Sequence, residues 1–206
     1  MSDLTPRLNA RVAQDLISGI RSAGVTHAVV SPGSRNTPVL MALAAAGVEI
    51  HVVLDERAAG FVALGLSRAL RAPVALSCTS GSAGANYLPA IVEAFHGRTP
   101  LVVITSDRPE ELQGRGAPQT MRQTGLYGHF VGGSIHLDAP RTEADCASVA
   151  EQAFQLVSEA QSERSPVHVN VAFREPLWAP TDWSAKSSTR QIPPKAPQPD
   201  TFDAVR

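Results

Sequence analysis

Two adjacent acidic residues, Asp55 and Glu56, end an apolar run, and their position there suggests chemistry. The run belongs to the segment IHVVLDERAAG at residues 50–60 and predicts a buried strand that stops at these two residues. Apolar residues recur at helical spacing from Ala59 onward, so a helix begins at once. A carboxyl group therefore lies at the carboxyl end of a strand, the edge at which open α/β sheets bind their ligands.

Two roles are open for these carboxyl groups. A carboxyl group that is half-buried among apolar neighbours loses hydration, favours its protonated form and can exchange a proton near neutral pH. The alternative is structural: Asp55 caps the helix and Glu56 occupies its first turn, where the helix dipole favours negative charge. This segment alone favours the structural role.

Polar residues also follow three other predicted strands. Strands that alternate with helices form a parallel sheet with right-handed crossovers, so their carboxyl ends meet at one edge. We therefore expect four polar motifs, far apart in the sequence, to converge in one crevice. The motifs are SPGSRNTP at 31–38, DER at 55–57, TSGSAGAN at 79–86 and SDRP at 106–109.

Each of the other motifs has a binding interpretation and a structural one. In SPGSRNTP, helix-start amides beside Ser34 and Arg35 suit a carboxylate or phosphate, although a capped turn explains the same pattern. In TSGSAGAN, the glycines allow close approach of a ligand or of a helix, and Thr79 or Ser82 can cap. After SDRP, the segment QGRGAPQTMRQTG is too polar for a core and too long for a turn, which is typical of a functional loop.

The remaining pattern supplies the elements that must position these motifs. The first helix starts at Thr5 and Pro6, carries an apolar face and stops at Gly24. Further predicted helices cover residues 37–43, 56–70, 83–94 (after a turn at 79–82) and 142–160, and predicted strands cover 27–30, 50–54, 73–78, 101–105, 134–137 and 166–171.

Composition excludes several classes of protein. The chain has 206 residues and a net charge of −1, so no polycationic surface indicates a nucleic-acid or anionic-membrane partner. It carries no signal-peptide pattern and no transmembrane-length apolar run, which predicts a cytoplasmic protein without a membrane span. Cys78 and Cys146 form no CxxC pair and are expected to be inert core thiols of a reducing compartment.

Several familiar sites are missing from the sequence. There is no GxxxxGK loop and no GxGxxG motif, and Ser80 replaces the glycine that a nucleophile elbow needs, so a hydrolase acting through Ser82 is disfavoured. The six histidines form no HExxH and no pair at helical spacing, so we predict no metal ligand in this chain. Six prolines between Pro176 and Pro199 predict a linker or tail over 179–206, after a domain at 1–178.

The motifs together resemble a known family. Glu56 and the TSGSAGAN turn resemble the pyrimidine-binding domain of thiamine-diphosphate enzymes, among them acetolactate synthase. The ordered set SPGSRNTP, LDERAAG, TSGSAGAN, SDRPEEL and GAPQTMRQ resembles, more specifically, the 2-succinyl-5-enolpyruvyl-6-hydroxy-3-cyclohexene-1-carboxylate (SEPHCHC) synthases of menaquinone biosynthesis. The likeness covers about residues 8–178.

This resemblance implies a fold, a reaction and a set of site residues. The fold is a three-layer α/β/α domain with a mostly parallel sheet. The reaction decarboxylates 2-oxoglutarate and adds its succinyl-semialdehyde unit to isochorismate. Glu56 is the implied catalytic carboxylate, hydrogen-bonded to N1′ of the aminopyrimidine. The implied cofactor-binding residues are Glu56, Pro32, Gly33, Thr79 and Ser82, and the implied substrate-binding residues are Ser34, Arg35, Arg108 and Gln119.

The same resemblance implies that part of the enzyme lies elsewhere. Members of the family hold the diphosphate and its Mg²⁺ or Mn²⁺ with a GDG motif on a separate domain, and no glycine here is followed by aspartate. The chain is then the amino-terminal domain of a longer homo-oligomeric enzyme and is inactive alone. Pro118 replaces the usual Asn, and Ser82 stands where many relatives carry Thr. Two alternatives stay open: another thiamine-dependent 2-oxo acid enzyme, and a module that captures a small dianion through Arg35 and Arg108.

Overall fold

The computed structural model describes residues 4–178, so the proline-rich linker predicted at 179–206 lies outside the described residues. The described chain folds around one six-stranded sheet in which every pair of neighbouring strands is parallel. The strand order is β2-β1-β3-β4-β6-β5, which confirms the predicted parallel sheet. The strands are β1 His27–Val30, β2 Glu49–Val52, β3 Val74–Cys78, β4 Leu101–Asp107, β5 Gly133–Leu137 and β6 Val167–Ala172.

Helices cover both faces of the sheet and complete the predicted three layers. One apolar core joins α1, α2 and α6 to the sheet, and a second joins α3, α4 and α5 to the other face. Burial of these apolar faces is the main favourable contribution to folding. The helices are α1 Thr5–Ser22, α2 Thr37–Ala45, α3 Glu56–Leu70, α4 Ser82–Asn86, α5 Leu88–His96 and α6 Val149–Glu163.

Two helices pack with their backbones almost in contact. A Cβ atom built on Gly19 of α1 would lie 2.3 Å from the carbonyl oxygen of Ala150 in α6, and 2.8 Å from the Ala153 Cβ. No side chain fits in that space, so glycine is required for this helix crossing. The apolar face predicted for α1 is buried at this contact and against the sheet: Leu8, Val12, Leu16, Ile17 and Ile20.

Three element boundaries differ from the sequence prediction. The single helix expected after the turn at 79–82 is two helices, because Pro89 has no N–H to continue the hydrogen bonding of α4. The helix expected to begin at Thr142 begins only at Val149, since a capping box between Thr142 and Asp145 closes a short 3₁₀ turn first. Strand β4 continues to Asp107 because β6 pairs with it over that length, which buries the first part of SDRP.

Both cysteines are buried, as predicted. Burial raises the pKa of the Cys146 thiol to about 11, so this sulfur stays protonated and unreactive at neutral pH. Over residues 4–178, no helix combines the length and the apolar character that crossing a membrane requires.

Candidate active site at the carboxyl ends of the strands

The direction in which the chain winds across the sheet reverses between β1 and β3, the position where open α/β sheets form a ligand crevice. The turns that follow these two strands touch each other. A Cβ atom on Gly33 would lie 2.6 Å from the Thr79 Cβ, so only glycine allows this approach. Asn36 holds the first turn, accepting from the Gly33 N–H at 2.8 Å and donating to the Ser31 carbonyl at 3.1 Å.

Hydrogen bonds join this turn to the neighbouring strand exits. The Ser31 hydroxyl donates to the carbonyl oxygen of Val53, just after β2, at 2.9 Å. The Tyr87 hydroxyl, between α4 and α5, donates to the Ser31 oxygen at 3.5 Å. The exits of β1, β2 and β3 therefore form one surface, which confirms their predicted convergence.

Asp55 and Glu56 occupy the positions that the structural alternative predicted, the N-cap and the first turn of α3. The Asp55 carboxylate accepts from the Ala58 N–H at 2.7 Å and so caps α3. Glu56 begins the helix and is half-buried, and its carboxylate makes no hydrogen bond or ion pair with any residue of the described chain. Burial raises the pKa of the Cys78 thiol at the end of β3, and the negative charge of Glu56 raises it further. Glu56 is thus an unpartnered carboxylate near the β3 exit.

Several large apolar side chains are exposed on the segment after β2 and on α3 and α5. Leu54, between β2 and Glu56, is 77% exposed, and Phe61 on α3 is 45% exposed. Leu88, which begins α5, is also exposed. Leu54 lies two residues from Glu56, and an exposed apolar side chain next to an unpaired carboxylate suits a flat heteroaromatic ring with a polar edge.

Arg108 follows β4 and is held by the turn after β3. Its Nη1 donates to the Ser80 hydroxyl oxygen at 2.6 Å and to the Gln119 carbonyl oxygen at 3.0 Å. Gln119 Nε2 in turn donates to the Ser80 carbonyl at 3.1 Å. Gly81 has a φ of 83°, and a Cβ there would lie 3.1 Å from the Gln119 carbonyl, so glycine is required. The fourth strand exit therefore joins the other three, as predicted.

Arg108 retains donors for a ligand. A guanidinium group has five N–H donors, and Nη1 provides both hydrogen bonds that Arg108 makes within the described residues. Its Nε and Nη2 donors have no partner there, and the side chain is only half-buried. Such a planar set of free donors is suited to a carboxylate.

Arg35, in contrast to Arg108, uses both terminal nitrogens of its guanidinium group for contacts within the chain. Its side chain is buried, with Nη1 donating to the Phe173 carbonyl at 2.9 Å and Nη2 donating to the Glu175 carboxylate at 2.6 Å. Burial lowers the pKa of Arg35, the hydrogen bond to Glu175 opposes this, and the positive charge of Arg108 lowers it again. The two arginines are therefore neighbours, as expected, but Arg35 is engaged within the chain.

The other predicted binding residues lie around the same rim. Pro32, Ser34 and Ser82 are exposed, while Gly33 and Thr79 are half-buried where their turns meet. Neither Thr79 nor Ser82 caps α4, whose N-cap is Gly81, so the capping role suggested by the sequence is wrong.

The sequence interpretation missed a glutamine that connects the rim to the interior. Gln123 is buried, accepts from the Gly81 N–H at 2.7 Å and donates to the Ser106 carbonyl at 3.1 Å. It also donates to Asn170 Oδ1 on β6 at 2.9 Å, and Asn170 donates to the Asp107 carboxylate at 2.8 Å. This network holds the exits of β3, β4 and β6 in place. Its position in the amide-rich loop was the available signal, but spacing gave no reason to single it out.

The polar side chains of β6 are buried, although their alternation with valine resembles a solvent-facing pattern. His168 faces the Thr105 hydroxyl at 2.8 Å, and that hydroxyl donates to Asn170 Oδ1 at 2.8 Å. Burial lowers the pKa of His168 to about 4, and the charge of His136 contributes in the same direction. The imidazole is therefore neutral at physiological pH, and its Nε2 donates to Thr105.

This buried histidine predicts loss of stability in mild acid. Between pH 6.5 and about 4, the unfolded chain binds a proton at His168 that the folded chain excludes. We expect the free energy of unfolding to fall by about 2 kcal/mol from this group between pH 7 and pH 5. Urea denaturation of the chain at both pH values measures the loss. His168→Gln should flatten the dependence, whereas the exposed control His129→Gln should keep it; an unchanged slope in the first variant contradicts the prediction.

A cavity of about 750 Å³ lies beside this network. Its lining includes Arg108, Arg122, Gln123 and His136, and much of its wall is the loop between β4 and β5. The polar loop singled out in the sequence thus forms a cavity wall at the strand exits.

These features fit a thiamine cofactor's aminopyrimidine. The unpartnered Glu56 carboxylate supplies the acceptor that a protonated ring nitrogen needs, and the exposed Leu54, two residues earlier in the chain, supplies an apolar side chain. The crowded Gly33–Thr79 contact keeps side chains out of the crevice beside them.

Comparison with known proteins agrees with this geometry. The sequence profile of the family described as "Thiamine pyrophosphate enzyme, N-terminal TPP binding domain" matches residues 10–126, more than half of the chain. The chain is similar to proteins named 2-succinyl-5-enolpyruvyl-6-hydroxy-3-cyclohexene-1-carboxylate synthase from three organisms. Identity is 47% with that of Geobacillus kaustophilus (90% of this chain, 33% of the relative), 46% with Thermobifida fusca (81% and 31%) and 42% with Myxococcus xanthus (97% and 37%).

The chain thus spans about a third of the length of these relatives. The family match includes the exits of β1 to β4, where Glu56, Thr79 and Arg108 lie. The chain belongs to the thiamine pyrophosphate enzymes, as an N-terminal TPP-binding domain of that family.

Proposed function

We propose that this chain is the pyrimidine-binding domain of a SEPHCHC synthase, which decarboxylates 2-oxoglutarate and transfers the remaining four-carbon unit to isochorismate. The observation that carries the proposal is the half-buried Glu56 carboxylate, which lacks a partner within the described residues and stands at the sheet edge that also holds Arg108. Similarity to relatives with that printed name, at 42–47% identity, supports the choice of reaction.

Glu56 is the proposed catalytic residue. Its carboxylate accepts a hydrogen bond from N1′ of the aminopyrimidine and holds a proton at that atom during turnover. Thiamine diphosphate, when bound, supplies a carbon nucleophile for the keto group and accepts the electrons that decarboxylation releases. Pro32, Gly33, Thr79 and Ser82 form the surrounding wall of the proposed cofactor site.

Arg108 is the proposed main anchor for a substrate carboxylate. Both proposed substrates are dianions, and Arg108 has three N–H donors without partners in the described chain. Gln119 contacts Arg108, Ser34 precedes Arg35, and both Ser34 and Gln119 are exposed, so we propose that they bind hydroxyl or carboxylate groups of the substrates. Arg35 is a buried cation whose charge Glu175 partly neutralises. In this proposal Arg35 binds a substrate carboxylate directly only after its ion pair with Glu175 has opened.

Further parts of the proposal concern the complete enzyme. Residues 1–178 form the pyrimidine-binding domain and 179–206 link it to a domain that binds the diphosphate with Mg²⁺ or Mn²⁺. The enzyme acts as a homodimer or larger assembly in the cytoplasm. The chain's match to about a third of its relatives supports this division, because the remaining two thirds must carry the other functions.

A product assay tests the proposed reaction. The complete gene product, supplied with thiamine diphosphate and Mg²⁺, should form SEPHCHC from 2-oxoglutarate and isochorismate and should not turn over pyruvate efficiently. Acetolactate formation from pyruvate would instead assign the enzyme to the broader 2-oxo acid group. Absence of both products, with tight binding of 2-oxoglutarate, would favour a binding module.

A further inference from the structure

Three side chains that can bind a metal ion meet at the amino-terminal ends of β1 and β2, away from the edge that holds Glu56. His27 begins β1 and pairs in register with Glu49, which begins β2, and His51 lies two residues further along β2. Side chains two residues apart in a strand project from the same face. All three therefore lie on one face of the sheet, on the layer where Val29 packs against α3 and α5.

The distances between the donor atoms are close to those of a metal site. His27 Nδ1 lies 3.3 Å from His51 Nε2, and Glu49 oxygens lie 3.6 Å from the first nitrogen and 3.8 Å from the second. One donor atom from each residue lies within 4.8 Å of the other two. In a tetrahedral zinc site with bonds of about 2.0–2.1 Å, ligand atoms are about 3.3–3.4 Å apart. The two Glu49 distances are made by different carboxylate oxygens, so the exposed Glu49 side chain must rotate to place one oxygen beside both nitrogens.

Fold stability alone does not explain this arrangement. Without a metal ion, the contacts amount to one hydrogen bond between two imidazoles and two long contacts, of 3.6 and 3.8 Å, to a carboxylate whose side chain is 66% exposed. Even an exposed ion pair contributes little to stability. The two rings are nearly parallel, with an interplanar angle of 13°, and both stay partly open to solvent, so an ion can reach them.

We propose that His27, Glu49 and His51 bind a divalent transition-metal ion, zinc in the first instance, through two imidazole nitrogens and one carboxylate oxygen. Water completes the coordination. Two imidazoles favour zinc, cobalt or nickel over magnesium, so this site differs in chemistry from one that would serve a diphosphate. The bound ion would join β2, the edge strand of the sheet, to β1. The proposal does not depend on the thiamine assignment.

Calorimetric titration of the chain without a histidine tag tests the site, with Zn²⁺ as the probe and Mg²⁺ as the comparison. We expect saturable binding of one Zn²⁺ per chain, no comparable binding of Mg²⁺, and a higher Tm with Zn²⁺. His51→Ala and Glu49→Gln should each weaken Zn²⁺ binding by at least about tenfold, because one of three ligands is lost. The control His129→Ala removes an exposed histidine that is not one of the three donors and should leave binding unchanged.

Two further measurements keep the result decisive. Circular dichroism establishes that each variant is folded, and Glu49→Gln changes an exposed side chain that the core does not need. Co²⁺ bound to the unmodified chain should show the intense visible absorption of a tetrahedral site, and Zn²⁺ should abolish it. Failure of Zn²⁺ to saturate the chain, or unchanged affinity in both ligand variants, would overturn the proposal.

Discussion

Glu56→Gln is expected to reduce turnover of the complete enzyme by about 10²- to 10⁴-fold, the usual contribution of a positioned acid–base group. Glutamine keeps the size and a hydrogen-bonding oxygen but cannot take up the proton that activation requires. Since Glu56 has no partner among the described residues, the substitution breaks no contact of the fold. The free energy of unfolding should therefore change by less than about 0.5 kcal/mol. Steady-state kinetics and urea denaturation measure the two effects.

Asp55→Asn is the matched control for this variant. It also replaces one carboxylate by an amide, at the adjacent position, but asparagine keeps the acceptor that caps α3. Activity and stability should both stay close to those of the unmodified enzyme. Near-normal turnover of the Glu56→Gln enzyme would remove Glu56 from the mechanism, and an equal loss in both variants would indicate an effect on the helix start.

Arg108→Ala is expected to lower kcat/KM for 2-oxoglutarate by about 10- to 100-fold, since a hydrogen bond to a charged group contributes about 1.5–3 kcal/mol. The three unpartnered donors of Arg108 form a planar group that matches a carboxylate. Arg108→Lys should recover only part of the loss, because it restores the charge without that planar shape. The loss should fall mainly on KM, as measured by initial rates over a range of 2-oxoglutarate concentrations.

Arg115→Ala provides the control for charge alone. Arg115 is exposed on the same loop and does not line the cavity beside Arg108. Its removal should leave KM within about twofold, because exposed charges are screened. A KM for 2-oxoglutarate that is equal in the Arg108→Ala and unmodified enzymes would exclude Arg108 from substrate binding.

The convergence of the four motifs could be predicted because parallel strands leave little freedom in where their carboxyl ends lie. The different contacts of Asp55 and Glu56 could not be predicted. Either acid can cap a helix, and only the backbone geometry shows that Asp55 does so while Glu56 stays without a partner. The different states of Arg35 and Arg108 were likewise hidden, since Glu175 lies 140 residues from Arg35 and belongs to no motif.

The histidines also show what spacing along the sequence cannot predict. Spacing along the sequence predicted no metal site, because His27 and His51 are 24 residues apart and belong to different strands. Their proximity arises from the pairing of β1 with β2, whose register brings Glu49 beside His27. The burial of His168 was likewise not visible in the sequence, since it depends on the network with Thr105 and Asn170 from another strand and from β6.

The sequence by itself determined the α/β class, the parallel sheet, the edge at which the motifs gather and the family to which they belong. These features depend on local periodicity and on residues close together in the chain. Only the tertiary structure decided which carboxylate is free, which arginine keeps its donors, and which polar residues hold the strand exits in place. Those properties depend on contacts between distant segments, and the register and burial that create such contacts leave no local pattern in the sequence.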